Sequence, residues 1–234
     1  MLLLTLLLFL TALFSLVKAS EGQFMFAAWL IIGAAVCDAI DGPVARLTRT
    51  SSNFGLQFDS LADVVAFGVA PAFLMFKHLG LLDKEMLPVY APRLALGACA
   101  LYAICAAIRL ARFNIQAATT EKNHFTGLPS PGAAGAVVSA FLFVEWLTEY
   151  MTGIDSLKAM LDTKDLTVNM HRSTLLLMVI LAFLMVSEVP FSKLKHILRV
   201  ANKQFQSLVI LLGGACVLIT FADFMPVILF AGFA

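Results

Sequence analysis

Four aspartates lie within 26 residues of the chain, at separations that would place them in two pairs on helices. Asp38 and Asp41 are three residues apart, and Asp59 and Asp63 are four apart. Residues at these separations project from one face of an α-helix. If the two helices pack as a hairpin, four carboxylates converge, and such like charges require a positive charge among them. Oxygen ligands clustered in this way favour hard divalent cations such as Mg²⁺ or Mn²⁺.

Small residues lie beside these carboxylates. Gly42, Ala45 and Gly55 present bare backbone, which a bulky ligand such as a pyrophosphate can approach closely. In the alternative interpretation the acids only form ion pairs at the end of the helices. Their partners would be Arg46, Arg49, Arg109 and Arg112.

The composition is that of an integral membrane protein. Hydrophobic residues make up 61% of the 234 residues and charged residues 13%, with a mean hydropathy of +0.92. The length allows six to eight helices of about 20 residues each, which is what a bilayer core requires. We therefore expect an all-α fold, a polytopic helical bundle forming one domain over 1–234. The catalytic core would cover about 24–150 and C-terminal helices about 173–234.

The spans are predicted from apolar runs. They cover 2–17, 24–46, 55–76, 92–113, 131–151, 173–191 and 206–222, and 225–234 begins an eighth. The first is followed by "VKAS", which resembles a signal-peptide cleavage site, but it lacks a basic n-region and is expected to span the membrane.

Other composition features exclude some functions. The net charge of +1 and the lack of basic tracts give no reason to expect a nucleic-acid partner. The four cysteines lack metal-ligand spacing and are predicted to be small core residues. They are Cys37, Cys99, Cys105 and Cys216.

Lysine and arginine are concentrated after every second span, which predicts that those loops and the N-terminus are cytoplasmic. These residues are Arg46, Arg49, Arg109, Arg112, Lys122, Lys193, Lys195, Arg199 and Lys203. The aspartates then lie at the cytoplasmic ends of the second and third spans. The segment 191–207 is predicted either to be an interfacial amphipathic helix or to act only as a positive-inside signal.

The full spacing is Asp38-x2-Asp41-Gly42-x2-Ala45-Arg46-x8-Gly55-x3-Asp59-x3-Asp63. It resembles, position by position, the signature of the CDP-alcohol phosphotransferase family. These membrane enzymes displace CMP from a CDP-linked lipid or alcohol with the hydroxyl of a second substrate.

The resemblance implies roles for the signature residues. Asp38, Asp41 and Asp59 would bind Mg²⁺ or Mn²⁺, typically as a two-metal site. Asp63 would be the general base and would touch the second metal. A CDP pocket would be formed by Asp41, Gly42, Ala45, Arg46 and Gly55. The family also implies a homodimer.

A second set of stretches indicates the acceptor. "RLARFN" at 109–114, "FTGLPSPGAAG" at 125–135, "SLADVVAFGVAPA" at 60–72 and "VSEVPFSKLK" at 186–195 resemble the phosphatidylserine synthase branch of the family. This similarity implies that CDP-diacylglycerol and L-serine are the substrates. Arg109 and Arg112 share a helix face, and a guanidinium suits the carboxylate of serine. Asn114 could add a hydrogen bond.

Several alternatives remain open at this point. Arg109 and Arg112 could instead anchor the helix at lipid phosphates, and the 127–131 loop could be a substrate lid or simply a helix start. Family members commonly carry Asn-x-x-Thr in the first span. The matching residues here are Leu2, Leu3, Leu4 and Thr5, so no role is predicted for that helix. The acceptor could also be glycerol 3-phosphate or an inositol phosphate, and a cation transporter is a more remote alternative.

Overall fold

A computed structural model of the protein describes residues 2–48, 53–86, 91–118, 127–152 and 163–187. Within these ranges the chain is helical apart from short turns. The helices are α1 (Leu2–Ser20), α2 (Phe24–Thr48), α3 (Asn53–Asp63), α4 (Ala70–Met86), α5 (Ala91–Ala118), α6 (Ser130–Thr152) and α7 (Thr163–Val186). A π-helical segment, Val64–Val69, joins α3 to α4 without a break.

Five helical segments within the described residues are long and apolar enough to cross a membrane. They are Leu3–Ser20, Phe24–Asp41, Phe54–Gly80, Arg93–Gln116 and Ser130–Tyr150. The apolar part of α7, Arg172–Val186, is shorter. The predicted all-α polytopic membrane fold is therefore confirmed. The spans predicted over 206–234 and the predicted interfacial segment 191–207 lie outside the described residues.

The helices extend beyond several of the predicted spans. The sixth span was expected over 173–191, whereas α7 begins at Thr163 and ends at Val186. Its first turns, "TKDLTVNMHR", are polar, so an apolar run could not detect them. Backbone hydrogen bonding continues a helix past the hydrocarbon region wherever the sequence tolerates it, and hydropathy underestimates helix length for that reason.

Helix α5 packs against α4, α7 and the π-helical segment. The hydroxyl of Tyr102 in α5 donates a hydrogen bond of 3.2 Å to the carbonyl oxygen of Phe67. A Cβ at Gly68 would lie 3.1 Å from the Cβ of Ala106, so glycine permits this close approach. The π-helical segment starts directly after Asp63, and such segments are frequent at functional sites.

A polar pair lies inside the apolar core, well removed along α4 from the aspartates. His78 Nε2 and Glu145 Oε1 are 3.1 Å apart and connect α4 with α6. The imidazole packs edge-on against Phe24 and Phe141. His78 follows Asp63 by 15 residues, or about 20 Å of helix at 1.5 Å per residue.

Successive spans run in opposite directions, so six helix ends lie together at one end of the bundle. These are the N-terminal ends of α1, α3 and α6 and the C-terminal ends of α2, α5 and α7. The aspartates, Arg109 and the 127–131 loop all belong to these ends. Residues far apart in sequence therefore meet at one end of the bundle.

Candidate active site

The structure brings three of the four aspartates together. Asp38 lies in the C-terminal half of α2, and Asp59 and Asp63 lie one turn apart on α3. One carboxylate oxygen from each of the three lies within 4.8 Å of the others. We call these three residues the carboxylate cluster.

The fourth aspartate, Asp41, is linked to the carboxylate cluster by a hydroxyl group of α1. Asp41 is only 5% exposed, and its Oδ2 accepts a hydrogen bond of 2.8 Å from Thr5 Oγ1. The same hydroxyl lies 3.4 Å from Asp59 Oδ1. Thr5 is itself 1% exposed, so this contact orients Asp41 inside the protein. The sequence assigned no role to α1, although Thr5 occupies the threonine position of Asn-x-x-Thr.

The carboxylate cluster has the properties of a cation site. Each pair of charges at this separation repels by about 3 kcal/mol at an effective dielectric constant of about 20. Asp63 Oδ1 is buried and has no hydrogen-bond partner among the described residues. An oxygen-only donor set with an orphaned buried oxygen fits a hard divalent cation such as Mg²⁺ or Mn²⁺.

The predicted CDP-binding residues are only partly within the described structure. Gly55 is buried on α3. Gly42, Ala45 and Arg46 lie in the last turns of α2, and their side chains are outside the described part of the structure. Arg49 is also outside it. The assignment of these residues to a nucleotide pocket stays a prediction.

A cavity of about 570 Å³ lies beside the carboxylate cluster. Residues from α3, α5 and the entry to α6 line it. They are Leu56, Gln57, Asp59, Ser60, Asp63, Arg109, Leu110, Phe113, Asn114, Pro129 and Pro131. This volume is within the range of small-molecule sites. The cavity therefore combines two carboxylates, a guanidinium and an apolar wall.

Two of the three predicted serine-binding residues line this cavity. The Arg109 guanidinium stacks over the Phe113 ring at 5.9 Å and donates a hydrogen bond of 2.8 Å to Ser130 Oγ. The amide Nδ2 of Asn114 donates a hydrogen bond of 3.0 Å to Ser60 Oγ. Ser60 was not among the predicted site residues, although its position between Asp59 and Asp63 was an available signal.

Arg112 is not among the residues that line the cavity. Its guanidinium donates a hydrogen bond of 3.1 Å to the carbonyl oxygen of Val186, the last residue of α7. A cation at a helix C-terminus interacts favourably with the unpaired carbonyl groups there. Lys122 lies outside the described residues.

The described residues form a helical bundle in which a carboxylate cluster lies beside a cavity. The family model for CDP-alcohol phosphatidyltransferase matches residues 1–219. The chain belongs to this family.

Several relatives are similar over about half of the chain. A CDP-diacylglycerol–serine O-phosphatidyltransferase of Helicobacter pylori is 45% identical over 128 residues, which cover 55% of this chain and 51% of that protein. One from Methanocaldococcus jannaschii is 37% identical over 132 residues, covering 56% of each chain. An archaetidylserine synthase of Methanothermobacter thermautotrophicus is 35% identical over 130 residues, covering 55% and 51%. The matched region thus spans about half the length of these relatives.

Proposed function

We propose that this protein transfers the phosphatidyl group of CDP-diacylglycerol to the hydroxyl of L-serine and releases phosphatidylserine and CMP. The observation that carries the proposal is the cavity that Asp63, a member of the carboxylate cluster, and Arg109 both line. Family membership supports the reaction type, and the names of the relatives support serine as acceptor.

Asp63 is the proposed general base. The serine oxygen attacks the phosphorus that carries diacylglycerol, and the bond from that phosphorus to the CMP oxygen breaks. The hydroxyl proton passes to the Asp63 carboxylate. A neutral hydroxyl is a weak nucleophile, so a carboxylate on the cavity wall accelerates the attack by accepting this proton.

Arg109, Asn114 and Ser60 are proposed to orient serine. The Arg109 fork can bind the serine carboxylate with two parallel hydrogen bonds. The amide oxygen of Asn114 and the hydroxyl oxygen of Ser60 are acceptors for the ammonium group. Together they direct the serine hydroxyl towards Asp63 on the same wall.

Asp38, Asp41 and Asp59 are proposed to hold Mg²⁺ or Mn²⁺, with Asp63 touching a second ion. When bound, such ions neutralise a pyrophosphate and stabilise a departing phosphate oxygen. The hydrogen bond from Thr5 holds the Asp41 carboxylate in one orientation. Asp41, Gly42, Ala45, Arg46 and Gly55 remain the proposed CDP pocket.

The contact of Arg112 supports a different role from the serine binding suggested by the sequence. Its guanidinium donates a hydrogen bond to the carbonyl oxygen of Val186, so we propose that Arg112 holds the end of α7 against α5. Serine binding in this proposal therefore depends on Arg109 and Asn114.

The proposal includes topology and assembly. The basic residues at the end of the bundle that carries the site support a cytoplasmic active site and a cytoplasmic N-terminus. The domain is proposed to extend over 1–234. A homodimer is proposed from the family, and Gly33, where an added Cβ would meet nothing within 4 Å, leaves the α2 surface open to close helix contact.

The test is release of CMP from CDP-diacylglycerol by the purified protein with Mn²⁺ and a single acceptor. L-Serine, glycerol 3-phosphate and inositol phosphate are compared in parallel. Serine-dependent release with phosphatidylserine as product supports the proposal. Turnover only with a phosphorylated acceptor would replace serine by that acceptor, and no turnover with any acceptor would overturn the proposed activity.

A further inference from the structure

We propose that Ser130 is a positioning residue that holds Arg109 towards the acceptor and away from the carboxylate cluster. The inference rests on the proposed serine transfer and extends it to a residue that the family signature does not contain. It concerns the hydrogen bond of 2.8 Å from Arg109 to Ser130 Oγ.

Arg109 has a strong competing attraction. Its guanidinium is partly buried next to the carboxylate cluster, whose charges would draw it into an ion pair. Among the described residues, however, it pairs with none of Asp38, Asp59 and Asp63 and is bound by Ser130 and Phe113 instead. A guanidinium paired with the carboxylate cluster would have less of its charge available to an acceptor carboxylate and would compete with a cation there.

Ser130 acts through Arg109 because it does not reach the cavity. It is 0% exposed and is absent from the cavity wall, whereas its neighbours Pro129 and Pro131 are part of that wall. The hydroxyl therefore cannot contact the acceptor. Its effect is confined to the orientation of the arginine.

The position of Ser130 is set by α7. The amide of Leu128 donates a hydrogen bond of 3.2 Å to the carbonyl oxygen of Leu184. Gly127 has φ +89°, and a Cβ there would lie 2.5 Å from the carbonyl oxygen of Met185. The entry to α6 thus packs against the end of α7. This contact fixes the position of Ser130, and the hydrogen bond to Ser130 in turn fixes the orientation of Arg109.

The experiment compares Ser130→Ala with Ser130→Thr and a matched control, Ser139→Ala. Ser139 is a second buried serine of α6, 2% exposed, and among the described residues its hydroxyl bonds only to the Ala136 carbonyl oxygen of its own helix. KM for L-serine and for CDP-diacylglycerol is measured separately for each. Mn²⁺ binding without substrate is measured by electron paramagnetic resonance.

Ser130→Ala is expected to raise the KM for serine about tenfold, the loss typical of one hydrogen bond to a charged group, with little change for CDP-diacylglycerol. It should also weaken Mn²⁺ binding, because Arg109 relaxes towards the carboxylate cluster. Ser130→Thr retains the hydroxyl and should restore the serine KM, and Ser139→Ala should resemble the unmodified protein.

An equal rise in both KM values, or equal behaviour of Ser130→Ala and Ser139→Ala, would overturn the inference while leaving the proposed function intact. Unchanged Mn²⁺ binding together with an unchanged serine KM in Ser130→Ala would also overturn the inference. Failure of the unmodified protein to release CMP with serine would overturn the proposed function, and with it this inference.

Discussion

At the residue scale, Asp63 and Asp41 are chemically identical side chains in different surroundings. Asp63 lines the cavity, whereas Asp41 is absent from the cavity lining, is 5% exposed and accepts a hydrogen bond from Thr5. We infer that Asp63 acts on the acceptor and that Asp41 acts on the cation and nucleotide.

Asp63→Asn is therefore expected to lower kcat by about a hundred- to ten-thousand-fold, the usual contribution of a general base. Binding of CDP-diacylglycerol should largely persist. Asp41→Asn should instead weaken Mn²⁺ and CDP-diacylglycerol binding together. Equilibrium binding of Mn²⁺ and CDP-diacylglycerol, measured together with steady-state kinetics, checks both variants. Equal loss of binding in the two variants would contradict this division of roles.

Thr5 provides a second prediction at the residue scale. Thr5→Val keeps the shape but removes the donor to Asp41. Residues that orient metal ligands typically contribute about 10–100-fold in metal affinity, so the Mn²⁺ concentration for half-saturation should rise by that order.

Thr11→Val is the matched control for Thr5→Val, because in the described part of the chain the Thr11 hydroxyl bonds only to the Leu8 carbonyl oxygen within α1. Thr5→Ser should retain the affinity. Similar Mn²⁺ titrations for Thr5→Val and Thr11→Val would show that α1 has no role in the site.

At the scale of the helices, the contact between the α6 entry and the end of α7 connects the C-terminal part of the chain to the cavity. Arg112, Leu128 and Gly127 all meet the last residues of α7. Pro129 and Pro131 follow directly and line the cavity. A disturbance at this junction should therefore reach the acceptor side of the site.

Gly127→Ala should lower the stability by more than about 1 kcal/mol, the cost of left-handed backbone for a residue with a Cβ, and raise the KM for serine. Gly97→Ala is the matched control, since that glycine lies on exposed α5 surface with nothing within 4 Å of an added Cβ. Thermal unfolding in detergent and serine kinetics measure the two effects. Equal stability and equal serine KM in the two variants would show that the junction does not affect the acceptor side of the site.

At the scale of the whole molecule, the alternating direction of the spans places all described site residues at one end. Glu21 lies in the loop after α1, and Gln116 lies near the C-terminus of α5. These two positions are at opposite ends of the bundle. The distribution of basic residues predicts that the Gln116 end is cytoplasmic.

This orientation can be measured with a membrane-impermeant thiol reagent on intact cells that produce a variant without native cysteines. Glu21→Cys should react from outside, and Gln116→Cys should react only after the membrane is permeabilised. Both residues are exposed, so both variants should react in detergent as the control. The reverse pattern would place the active site on the outer side.

The sequence by itself determined the membrane class, the helical fold and the paired aspartates. Long apolar runs have few stable alternatives to helices in a bilayer, and three- and four-residue separations have a defined meaning on a helix. These features are local, so they can be recognised without knowing which helices pack together.

Only the tertiary structure decided which distant residues meet. Thr5 reaches Asp41 across 36 positions, Ser60 pairs with Asn114 across 54, and Arg112 reaches Val186 across 74. The spacing of Arg109 and Arg112 suggested one shared role, yet the rotation of α5 directs one to the cavity and the other to α7. Such contacts depend on the rotation and depth of each helix in the bundle, which side-chain packing sets and no local pattern records.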